Sequence, residues 1–200
     1  MSNPLYLNRK KTLWRRMCAL VYTSIFLLIT PSFAQEEPII NDRSGRNKVI
    51  QMVKTDTPPI IDGIMDDVWY TAAVVDDFHQ VEPIEYSEPS EETIVYVLYG
   101  EKAIYVGARM IHENLDDIIA RTMIQGGALR YDDKLKLYLN PFNDGRNGYF
   151  FEVNPHGIRV EAIFEGVDGL NWDWTGIWYS GAKRNDEGWF AEMAIPYETI

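Results

Sequence analysis

The chain has 200 residues, 46% hydrophobic and 24% charged, which excludes a disordered or collagen-like chain and sets a ceiling of one sizeable domain. Its 19 basic and 30 acidic residues give a net charge of −11. The first 34 residues hold five of the basic ones and no acid, so the other 166 carry a net charge of −16, which argues against binding nucleic acid or anionic lipid.

Arg9, Lys10, Lys11, Arg15 and Arg16 make a basic start, and Met17–Thr30 is a mostly apolar, uncharged stretch of 14 residues. Ser32-Phe33-Ala34 then supplies small residues at the two positions that matter for cleavage, before Gln35-Glu36-Glu37. This three-part pattern predicts a secretory signal peptide over residues 1–34. A helix of that apolar length rises about 21 Å, short of a hydrocarbon core of about 30 Å, so removal is expected rather than anchoring. The mature protein is expected to be periplasmic, extracellular or associated with the outer membrane. The single cysteine, Cys18, lies in the leader. A mature chain without cysteine has no disulfide, no thiolate zinc site and no thiol nucleophile. Cys18 follows Arg15-Arg16-Met17 rather than the small or aliphatic residues that lipidation needs.

Residues 35–57 are polar and read as a flexible lead-in with one short strand at 48–53. Ile60-Ile61-Asp62-Gly63 ends in a turn, and Asp66 is placed to cap a short helix with Val68, Trp69 and Ala72. Residues 82–92 form an acidic, proline-containing loop. Strand signals then dominate. Residues 93–99 and 103–110 predict a hairpin, and 114–124 a short helix capped by Asn114. Leu135, Leu137 and Leu139 alternate with Lys134 and Lys136, the pattern of a half-buried antiparallel strand. Tyr149, Phe151 and Val153 alternate with Phe150 and Glu152, and Ile158, Val160 and Ala162 with Arg159 and Glu161. A Gly- and Trp-rich loop spans 166–176, and two more strands follow at 177–183 and 189–195. Short strands joined by turns predict an all-β fold, an antiparallel, jelly-roll-like β-sandwich with one or two short helices. The domain is expected over 58–200, truncated at its C-terminal end and belonging to a longer protein.

Catalytic constellations are sparse. There is no G-x-S-x-G elbow, and Gly126-Gly127 lacks the lysine of a phosphate loop. Glu152, Glu161, Glu165 and Glu192 offer carboxylates for glycoside hydrolysis, but each falls on the polar phase of a strand, where a solvated Glu is expected. A hydrolase resting on Glu161 and Glu192 is the weakest reading. Calcium is the one cofactor the residues suggest. Asp168, Asn171 and Asp173 put three hard oxygen donors in one loop, and Asn140, Asn143 and Asp144 form a second, weaker cluster; turn chemistry, which favours Asn and Asp without any ion, is the leading alternative for both. Trp172, Trp174 and Trp178 are the most suggestive group. Exposed aromatic rings stack on the apolar faces of sugars, while nearby Asn, Asp and Glu satisfy hydroxyls. Against this, Trp is usually mostly buried, and Trp69 and Trp189 fit core positions.

The order of segments resembles family 9 carbohydrate-binding modules. The matching pieces are Pro59 to Trp69, Ala103 to Ala108, Asp133 to Leu139, Phe150 to Gly157, and Gly188 to Pro196. Leu139 to Asp144 and the Asn171-Trp172-Asp173-Trp174 loop look closest to a subset found ahead of bacterial outer-membrane β-barrels. The resemblance implies a β-sandwich that binds saccharide without cleaving it, structural calcium, a sugar held between two tryptophans, and attachment to xylan-degrading hydrolases. It also implies ligand-contact positions, where this chain departs from the family. The family's Asp falls at His112, its first sandwiching Trp near Arg130, a strand Glu at Lys136 and an Arg at Glu152. The second sandwiching Trp would lie beyond Ile200. Arg130 and Glu152 are thus ligand-facing candidates by position, beside Trp172, Trp174 and Trp178. Two readings follow: a carbohydrate-binding domain serving polysaccharide capture or catabolism, or a structural or gating domain beside an outer-membrane barrel without sugar affinity.

Overall fold

The computed structural model describes residues 48–166 and 169–200. The leader, most of the lead-in and Asp168 lie outside the described residues. Among the described residues there are ten strands: β1 (Val53–Lys54), β2 (Ala73–Val75), β3 (Thr93–Tyr99), β4 (Ala103–Ile111), β5 (Leu135–Leu139), β6 (Asn147–Val153), β7 (Arg159–Glu165), β8 (Leu170–Asn171), β9 (Tyr179–Asn185) and β10 (Gly188–Pro196). They form two sheets. The first runs β1-β3-β4-β10-β9, with β2 also on β3, and the second β5-β6-β7-β8. Every pairing is antiparallel except β1 with β3. This is the expected β-sandwich.

Side chains alternate across each strand, so a two-residue period decides what meets between the sheets. Val106, Ala108 and Met110 of β4 and Trp189, Ala191, Met193 and Ile195 of β10 share a core with Phe151 and Val153 of β6 and with Trp178. Leu135, Leu137 and Leu139 of β5 pack against it, as their alternation predicts. Each large side chain sequestered this way contributes about 1.5–3 kcal/mol.

The first sheet is covered on its outer face too. Trp69, Phe190, Ala194, Tyr96 and Leu98 form a second cluster, with Ile61, Met65 and Val68 packed on it. The segment 61–72 therefore acts as a strap over the sheet, and β10 is buried on both sides. Gly63 makes the close approach possible. Its φ is +81°, and a Cβ there would sit 2.6 Å from the Ala182 carbonyl carbon. Glu192 fastens the strap. Its carboxylate accepts hydrogen bonds from Asp62 N (3.1 Å), Gly63 N (2.8 Å) and Trp69 Nε1 (2.8 Å). The family-like segments Ile61–Trp69 and Gly188–Pro196 are thus two halves of one contact.

Several expectations change. The short helix after Asp66 is a 3-10 turn, Asp67–Thr71, and the Asp66 carboxylate accepts Ile60 N (2.7 Å) instead of capping it. Residues 114–124 hold only a 3-10 turn, Leu115–Asp117, with Asn114 accepting Asp116 N. The rest of that stretch is tied to distant residues and does not propagate a helix. Asp132 accepts Arg121 N and Thr122 N, while Asp133 accepts Ile119 N. The short strands β2 and β8 carry too few residues for alternation to reveal them. Glu152 and Glu192 are buried rather than solvated, at 6% and 0% exposure. Among the described residues no helix is long and apolar enough to cross a membrane.

Candidate functional site

The outer face of the second sheet differs from that of the first, because its most prominent rings are open to solvent. The register β5 to β6 sets Tyr138 opposite Phe150, and β6 to β7 sets Phe150 opposite Ala162. Phe150 is buried, at 2% exposure. Tyr138 leans on it with ring centres 4.9 Å apart, and Trp172 meets it edge-on at 5.6 Å. Phe164 adds a contact to Tyr138 at 6.2 Å. Tyr138 and Trp172 remain 56% and 55% exposed. Two exposed rings are thus braced on one buried ring, a rigid apolar platform that loses little conformational freedom on contact with a ligand.

Next to this aromatic row lies a charged one, two residues along each strand. Lys136 stands opposite Glu152, and Glu152 opposite Val160. Burial raises the Glu152 carboxyl above its ordinary range, and the nearby charges of Lys134 and Lys136 oppose that rise. The Lys134 ammonium also donates to the Leu129 carbonyl. Asn154, fully buried in the turn after β6, locks this end of the sheet. Its Oδ1 accepts His156 N (3.0 Å) and Ile158 N (2.9 Å), and its Nδ2 donates to Thr122 O (2.9 Å) and Asp132 Oδ2 (2.8 Å).

The structure separates the three loop tryptophans. Trp172 alone joins the platform. Asn171 Oδ1 accepts Asp173 N (3.0 Å), a turn that breaks the extended phase and sends Trp174 the other way. Trp174 packs inward on Tyr149 (5.4 Å) and Phe151 (6.3 Å), so the two do not share one side as an extended chain would have it. Trp178 is 1% exposed. It packs on Phe151 at 5.0 Å and donates from Nε1 to Glu161 Oε2 at 3.1 Å. It is a core residue and no ligand contact. Arg130 is exposed on the loop ahead of β5, with its guanidinium carbon 5.6 Å from the Tyr131 ring centre rather than on the sheet face. Glu152 does point to this face but is buried in it. Sequence reasoning missed Tyr138, Phe150 and Phe164. The signal was present: Tyr138 and Phe150 are aromatic residues on the polar phase of their strands, where solvent-facing side chains are expected.

Among the described residues, the candidate calcium donors Asn171 and Asp144 are engaged in turns. Asn171 Oδ1 is used in its own turn. Asp144 accepts Arg146 N, Asn147 N and Asn147 Nδ2, which lowers its carboxyl to about 2 and makes it a turn residue. Among the described residues no three His, Cys, Asp or Glu side chains gather as metal ligands. Asp168, the third donor of the Trp loop, lies outside the described residues. Glu161 and Glu192 do not form a catalytic pair either. Glu192 lies under the strap on the outer face of the first sheet, while Glu161 bonds the core tryptophan of the second.

Two sheets packed face to face, the second with solvent-exposed rings on its outer side, define a β-sandwich. The family model described as carbohydrate family 9 binding domain-like matches residues 61–200. The chain belongs to this family. No curated protein matches it. Among solved structures it is similar to a family 9 carbohydrate-binding module from Caldicellulosiruptor kristjanssonii in complex with cellotriose. The identity is 17% and the TM-score 0.49, over 72% of this chain and 65% of that one. A family 9 module from the same organism in complex with glucose gives 16% identity and a TM-score of 0.48, over 73% of this chain and 69% of that one.

Proposed function

We propose that this is an exported, non-catalytic saccharide-binding domain that holds its ligand on the outer face of the second sheet. The observation that carries the reading is the platform of Tyr138 and Trp172 braced on buried Phe150. Pyranose rings present apolar C–H faces, which pack on exposed aromatic rings, while their hydroxyls remain free for polar partners at the rim. The leader pattern supports export. The domain serves polysaccharide capture or catabolism as part of a longer protein.

A structural or gating role beside an outer-membrane barrel is the second reading. The departures from the family's contact positions at His112, Arg130, Lys136 and Glu152 favour it. The two separate on titration of the mature protein with xylo- and cello-oligosaccharides, read by tryptophan fluorescence with calcium and then with chelator. Saturable binding that is lost in Trp172→Ala and weakened in Tyr138→Ala supports the first. No response in a cooperatively folded protein supports the second.

A further inference from the structure

We infer that the platform prefers saccharides carrying a carboxylate, a uronic acid or similar group, and that Lys136 reads it. The inference rests on the saccharide-binding reading and adds the ligand's charge to it.

Within β5–β8 the outward residues are Lys136, Tyr138, Gly148, Phe150, Glu152, Val160, Ala162, Phe164 and Leu170. Two of these are charged, and Glu152 is buried at 6% exposure. Lys136 is therefore the exposed charge on this face, and it is cationic in a chain whose acids outnumber its bases 30 to 19. Such a surplus repels an anionic ligand over most of the surface, so a local cation beside the rings decides whether one is accepted.

Position strengthens the case. Lys136 and Tyr138 lie on the same side of one strand, about 7 Å apart along it. A sugar stacked on Tyr138 would therefore bring a ring substituent within reach of the ammonium. The ion pairs among the described residues, Lys48–Asp77, Lys54–Asp56 and Arg109–Glu187, do not include Lys136. Its charged neighbour on the face is Glu152, with Lys134 beside both, and the Lys134 ammonium is already bonded to the Leu129 carbonyl. Glu152 stands opposite Lys136 across the β5–β6 pair without forming an ion pair with it, which leaves the ammonium available to a ligand carboxylate.

The test compares xylo-oligosaccharides of one length with and without a glucuronic acid branch, by calorimetry on the mature protein at neutral pH. The decorated sugar should bind about two- to fivefold tighter, the scale of an exposed ion pair. That advantage should shrink in high salt, disappear in Lys136→Gln and persist in Lys136→Arg. Equal affinity for the two sugars in the unmodified protein, or an advantage that survives Lys136→Gln, overturns the inference and leaves the saccharide-binding reading standing. If neither sugar binds the folded protein, both fall together.

Discussion

Glu192 shows how one side chain serves the fold while resembling a catalytic group. Burial pushes its carboxyl up to about 7, outweighing the three donors that favour the ionised form. A carboxyl raised from 4.5 in this way stabilises the fold fully below its unfolded pKa, and the contribution fades as pH rises toward 7. The loss amounts to roughly 3 kcal/mol. Denaturant unfolding between pH 4.5 and 8 should therefore show the unmodified protein losing stability relative to Glu192→Gln; parallel curves would refute this. The tryptophans give a second contrast at this scale. Trp178→Ala should cost about 3–5 kcal/mol, as for a large ring removed from a core, and Trp172→Ala within about 1 kcal/mol. Urea midpoints of the two variants check this order.

At the scale of elements, the long strands were legible and their connections were not. Strand β5 alternates cleanly, β3 and β4 show in their β-branched and aromatic content, and β10 shows a nearly continuous apolar run, whereas β7 turns its polar phase, Arg159 and Glu161, inward. Even so, the buried polar phase of β10 was misread, because the strap that covers it arrives from residues more than a hundred positions away. The helix expected over 114–124 is also replaced by non-local contacts, from 10 to 32 positions away. The backbone groups of that stretch are satisfied by Asp132, Asp133 and Asn154 rather than by a local helix, and nothing nearby in sequence marks that. Asn154→Ala strips four hydrogen bonds from a buried turn. It should destabilise the domain by about 2–4 kcal/mol. Amide exchange should accelerate first at Ile158, whose N–H donates to Asn154, and at the adjoining loop residues 119–123. Uniform protection in that variant would show that the loop is held by other contacts.

For the whole molecule, the candidate site was half visible in the sequence. Trp172 stood out by residue type, and the family likeness pointed to the β-sandwich. The face itself required the register, because Tyr138, Phe150 and Trp172 come from three segments that only the β5–β6 pairing and the Asn171 turn bring together. Trp174 and Trp178 looked equivalent to Trp172 in sequence and lie on the opposite side of the same sheet. The most direct test of the account is a nuclear magnetic resonance titration of the isotope-labelled mature protein with a xylo- or cello-oligosaccharide. The account predicts saturable shifts centred on the Trp172 indole N–H and the backbones of Lys136, Tyr138 and Phe150, with the Trp69 and Trp178 indoles unmoved. Shifts centred on the strap, with this face silent, would contradict it.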